Sequence, residues 1–131
     1  MNQNYYMGIK KSPDDTTRLV ETIVDGAKKK KGEEIISLNF NNIENSICKY
    51  FIICHADSNI QVNAIADSIE KKVKEDLNER VWQKGGYENS FWIILDFVDV
   101  VVHIFQKEYR DFYKLEDLWA DTIKIKYDQA G

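Results

Sequence analysis

Cysteines, surplus positive charge and long apolar runs are all scarce in this chain, and each scarcity removes a class of function. Two cysteines, Cys48 and Cys54, are too few for a disulfide framework, so a reducing compartment fits. No apolar run approaches the roughly 20 residues that a helix needs to span a bilayer. The opening MNQNYYMGIKKS carries neither an apolar signal core nor an Arg- and Ser-rich transit pattern. A cytoplasmic protein that does not enter membranes is expected. Eighteen Lys and Arg against 22 Asp and Glu leave a net charge of -4, which argues against affinity built on nucleic-acid phosphates. A neutral or basic partner fits better. What is present is 131 residues with 44% apolar content, enough for one domain around one core.

Residues 1–11 are polar and unpatterned and read as a flexible arm. Ser12, Pro13 and Asp15 then announce a helix: serine caps free N–H groups, proline suits the first helical position, and Asp15 takes the capping-box place. Leu19, Ile23 and Ala27 supply its apolar stripe, and Gly32 stops it. Lys28 to Lys31 sit where the helix dipole favours cations, so they read as a solvated helix end rather than an RNA patch. Ile35, Ile36, Leu38 and Phe40 predict a strand, and Tyr50 to Cys54 a second. Asp57 or Ser58 caps a long helix with Val62, Ile65, Ile69 and Val73 at helical spacing, ending near Leu77. Gly85 and Gly86 mark a turn beside a short edge strand. The order helix, strand, strand, helix, strands, helix predicts an α/β (α+β mixed-sheet) domain over 12–121, its mixed β-sheet flanked by helices. Residues 122–131 are assigned to a tail, although IKIKY alternates as a short strand would.

The run WIILDFVDVVVHIF at 92–105 predicts a hairpin. Val98, Val100, Val102 and Ile104 share one face, and Asp99, Val101, His103 and Phe105 share the other. Charge, imidazole and ring together suit a surface that meets another macromolecule. The following QKEYRDFYKLEDLWAD predicts an aromatic helix. Phe112, Leu115 and Trp119 are assigned to its core side, and Tyr109 and Tyr113 to an exposed ridge. Seven acids between 96 and 121 against three bases point to a basic protein partner.

Other chemistries fit less well. Cys48, Cys54, His55 and His103 are zinc-competent, but none forms a close Cys-x-x-Cys pair, and no metal or other cofactor is expected. A Cys54–His103 nucleophile and base would lack an oxyanion-hole motif, so Cys54 reads as core. Asp96 and Asp99 evoke magnesium-dependent phosphoryl transfer, yet two residues separate them and no phosphate loop accompanies them. A turn in which Asp96 bonds its own backbone is the simpler reading. No catalytic residue is assigned.

KYFIICHADSNIQVNAIADSIE at 49–70 and WIILDFVDVVVHIFQKEYRDFYKLEDLWAD at 92–121 closely resemble the bacterial ribosomal silencing factor family, also called Iojap-like. The similarity runs from about Asp14 to Asp121. It implies a nucleotidyltransferase-like topology without enzymatic activity, binding to the large ribosomal subunit through universal ribosomal protein fourteen, and a steric block of subunit joining that represses translation under nutrient limitation. A homodimer when free is also implied, and the net negative charge leaves rRNA contact at most peripheral. Matching positions are Trp92, Asp96, Asp99, His103, Tyr113, Leu115, Leu118 and Trp119. The expected partner-binding set is Trp92, Asp96, Asp99, His103, Phe105, Tyr109 and Tyr113. The alternatives are a nucleotidyltransferase-type phosphoryl-transfer enzyme using Asp96 and Asp99, or a dimeric large-subunit assembly factor. The chain departs from the family at His55-Ala56-Asp57, at Gly85, and at Val98, which replaces a common hairpin-turn glycine.

Overall fold

In a computed structural model that describes residues 13–119 and 121–127, the first helix, α1 (Pro13–Lys29), opens with Asp14 and Asp15 and closes with Lys28 and Lys29. That distribution of charge matches the helix dipole at both ends. The stop differs in detail from expectation. Lys31 takes the left-handed conformation at φ 61°, and the Gly32 N–H then reaches back to the Ala27 carbonyl at 2.8 Å. The expected arm, and the proposed cap Ser12, lie outside the described residues.

Two strands follow, β1 (Glu33–Asn39) and β2 (Tyr50–Ala56), paired antiparallel with a bulge where Glu34 adopts φ 46°. β2 runs two residues past Cys54 and carries His55 into the sheet. Helix α2 (Asn59–Leu77) is capped by Ser58, whose hydroxyl accepts the Gln61 N–H, and it ends at left-handed Asn78. Its buried Val62, Ile65, Ile69 and Val73 pack with α1 on one side of the sheet.

Strands β3 (Gln83–Gly85), β4 (Trp92–Asp96) and β5 (Val100–Gln106) complete one half of the sheet. Gly86 at φ 91° is required there, because a Cβ would fall 2.0 Å from the Trp92 carbonyl. The chain then forms a short helix, α3 (Lys107–Tyr113), a 3-10 helix at Leu115–Trp119, and β6 (Ile123–Tyr127). Two expectations change here. The predicted single aromatic helix is broken by Lys114 at φ 47°, and 123–127 is no tail, because it pairs with β1 as an edge strand.

The six strands lie in the order β3-β4-β5-β2-β1-β6, with β2 and β5 the parallel pair. Period-two alternation sorts their side chains into two layers. Ile35, Ile52, Cys54, Val100, Val102 and Ile104 face α1 and α2. Ile36, Leu38, Phe51, Ile53 and Phe105 face the opposite way, under Phe40, Leu115 and Trp119. The result is a single mixed α/β domain. Among the described residues, no helix is long and apolar enough to cross a membrane.

Candidate functional site

The second layer covers only part of its sheet face. On β4, Trp92, Ile94 and Asp96 stand opposite Phe105, His103 and Val101 of β5, so all six project to this side. Phe105 and His103 are buried, whereas Trp92, Ile94, Asp96 and Val101 stay half-buried. Cover from the 3-10 helix and the 40–48 loop therefore stops short of β4. The hairpin face expected to be open is thus internal at Asp99, His103 and Phe105, which are 1%, 5% and 0% exposed. For the two rings the reason is a second core with Phe40, Leu115 and Trp119 that hairpin periodicity alone does not reveal, and Asp99 is held against the start of β2 at Lys49 and Tyr50.

Aromatic contacts carry the uncovered strip from the sheet onto α3. The Trp92 ring lies 4.8 Å from Phe105 and 5.1 Å from Tyr113, and Tyr113 meets Phe112 edge-on at 5.1 Å. Tyr109 stacks on Phe91 at 4.4 Å. Tyr113 is exposed and Tyr109 half-buried, close to the expected ridge. Phe112 is the contrary case, 77% exposed where core was expected, because the break at Lys114 turns it away from the stripe that holds Leu115. Exposed Leu118 lies on the 3-10 helix. Period two along β4 would have found Ile94. No local signal marks Phe112.

Asp96 Oδ1 accepts the Val98 N–H at 2.7 Å, so Asp96 builds the turn, as the simpler reading holds. Asp99 is placed by its carbonyl, which accepts the Lys49 and Tyr50 N–H groups at 2.8 and 3.1 Å, and its carboxylate lies 3.9 Å from Lys49 Nζ. Both acids sit at the turn. The shallow crevice at the carboxyl ends of parallel β2 and β5, about 270 Å³ and lined by Asp57, Gln106, Lys107, Glu108 and Asp111, lies at the other end of β5. Open α/β sheets bind ligands in that second place, so Asp96 and Asp99 do not share it.

Cys54 is wholly buried among the α1 and α2 contacts, and burial pushes its thiol pKa up to about 12. Cys48 belongs to the opposite layer. His55 is held by Arg110, whose role no sequence motif marks. Arg110 Nη1 donates to His55 Nδ1 at 2.9 Å and to the Glu34 carbonyl at 2.8 Å, and Nη2 donates to Glu116 Oε2 at 3.1 Å. This one guanidinium ties α3 and the 3-10 helix to β1 and β2. Among the described residues, no three His, Cys, Asp or Glu side chains gather to hold a metal ion.

Comparison with known proteins gives this geometry a context. Residues 13–130 match the family model described as "Ribosomal silencing factor during starvation". A ribosomal silencing factor of Halalkalibacterium halodurans is 37% identical over 110 residues, covering 84% of this chain and 92% of that one. Its Bacillus subtilis counterpart is 39% identical over 93 residues, covering 71% and 77%. A crystal structure of a Chromobacterium violaceum protein superposes with a TM-score of 0.74 at 32% identity, covering 79% of this chain and 84% of that one. On the matched family model and these relatives, the chain belongs to the ribosomal silencing factor family.

Proposed function

We propose that the protein binds the large ribosomal subunit through universal ribosomal protein fourteen and, by occupying a surface the small subunit must reach, hinders subunit joining when nutrients are scarce. Family membership supports ribosome-associated silencing of translation. The observation that carries the finer reading is the half-covered sheet face, where Trp92, Ile94 and Val101 run onto exposed Tyr113 and Phe112. Aromatic rings of this kind are typical interface anchors. In this reading Trp92, Tyr109 and Tyr113 touch the partner and Asp96 lies at the rim. Asp99, His103 and Phe105 act from beneath. The acid excess over 96–121 suits a basic ribosomal protein and speeds encounter, with rRNA touched at most at the rim.

The mechanism is occupancy in the cytoplasm, without a covalent step or cofactor, so inhibition follows mass action. The same strip would serve as the seam of a homodimer in the free protein, competing with ribosome binding. The test compares dissociation constants for purified protein fourteen and for intact large subunits across a salt series. Binding to both with a modest salt slope is expected. A steep slope on subunits, with no affinity for the isolated protein, would mean that rRNA phosphates are the target.

A further inference from the structure

Trp92 is the aromatic centre of the uncovered strip, and its one polar atom is turned inward. The indole N–H donates to His103 Nδ1 at 3.1 Å, across the β4–β5 pair. An indole nitrogen is a donor only, so His103 must offer a lone pair at Nδ1 and carry its own proton on Nε2. The imidazole is itself immobilised, 5% exposed and edge-on to Phe51 at 4.5 Å. Burial also lowers its pKa to about 3, which keeps the ring neutral and Nδ1 accepting at any ordinary pH. Phe105 and Tyr113 wall the indole in. A half-solvated tryptophan without such a tie would point its N–H at water and sample more than one rotamer.

We infer that His103 is a positioning residue for docking: by taking the Trp92 N–H it fixes the indole in one orientation and leaves only the ring's carbon edge for the partner. The strip then selects an apolar pocket on a protein over a groove rich in hydrogen-bond acceptors. This rests on the docking reading above. A ring that is already ordered also loses less freedom on binding.

The test uses full-length protein and purified large ribosomal subunits. In 15N-labelled protein the Trp92 indole N–H, assigned by its loss in Trp92→Phe, is expected to exchange with solvent far more slowly than that of exposed Trp82. His103→Phe keeps a ring and removes the acceptor. It should abolish that protection and weaken subunit binding about tenfold, and His103→Asn, whose carbonyl can replace Nδ1, should restore both. If Trp92 exchanges as fast as Trp82, or if His103→Phe binds as wild type, the inference is overturned. Should His103→Phe fail to fold, the wild-type exchange rate still decides. Trp92→Ala separates the two claims. Normal binding by that variant removes the docking reading and this inference together, whereas weak binding by it beside normal binding by His103→Phe removes the inference alone.

Discussion

Arg110 and His55, 55 residues apart in sequence, meet at 2.9 Å in the interior, and the pair is the junction between the sheet and the elements that cover its second face. Arginine always donates, so His55 Nδ1 accepts and its Nε2 proton faces Glu34 Oε2 at 3.8 Å. Replacing Arg110 by alanine would strand Glu116, His55 and the Glu34 carbonyl at once. A loss of about 3 kcal/mol or more is expected in urea unfolding, with faster amide exchange in α3. A loss under about 0.5 kcal/mol, the range of an ordinary surface substitution, would show that the cover holds without it.

Val98 sits at φ 76° in the β4–β5 turn, with the Asp99 N–H bonded to the Phe97 carbonyl at 3.0 Å. This is a tight γ-type turn, and a β-branched residue is strained in it. Val98→Gly should therefore stabilise by about 1 kcal/mol, strain relief of about 1 to 3 exceeding the roughly 0.5 to 1 kcal/mol entropy cost of glycine. The check is a higher urea midpoint at unchanged slope. A lower midpoint would refute the strain.

How much the sequence disclosed depends on whether a signal was local. α1, α2 and the hairpin were legible because stripes, caps and alternation are written within a few residues. The break at Lys114 was not, since a lysine in the left-handed region carries no sequence mark. Without that break, helical spacing puts Phe112 on the core side. The burial of Phe105 and His103 escaped for a different reason: Leu115 and Trp119 fold back from further along the chain to complete the layer around Phe105 and Phe51, and Phe51 packs on His103. Ring type and position mark Trp92, Tyr109 and Tyr113 in the sequence, and all three lie at or near solvent.

Both histidines link stability to pH in the same direction. Burial lowers the pKa of His55, with the Arg110 charge adding to it, and lowers that of His103 from 6.5 to about 3. A depressed folded-state pKa means that the unfolded chain binds the proton first, so stability is complete above about pH 6.5 and declines as pH falls toward the folded value. Between pH 7 and pH 5, His103 alone should cost about 2 kcal/mol. His103→Asn should flatten that slope in urea titrations at the two pH values. An unchanged slope would contradict the burial of a neutral ring.

Cys54 tests the other layer. Cys54→Ser places a hydroxyl among α1 and α2 side chains and should cost about 1 to 3 kcal/mol while leaving subunit affinity intact. Lost affinity at unchanged melting would give the thiol a role in binding.

Sedimentation of separated ribosomal subunits with added protein tests the central claim most directly. The wild-type protein is expected to travel with the large subunit and deplete joined ribosomes. Tyr113→Ala and Phe112→Ser should keep their melting temperature, lose roughly thirty-fold in affinity and let joining recover. Migration with neither subunit, or full silencing by both variants, would contradict the account.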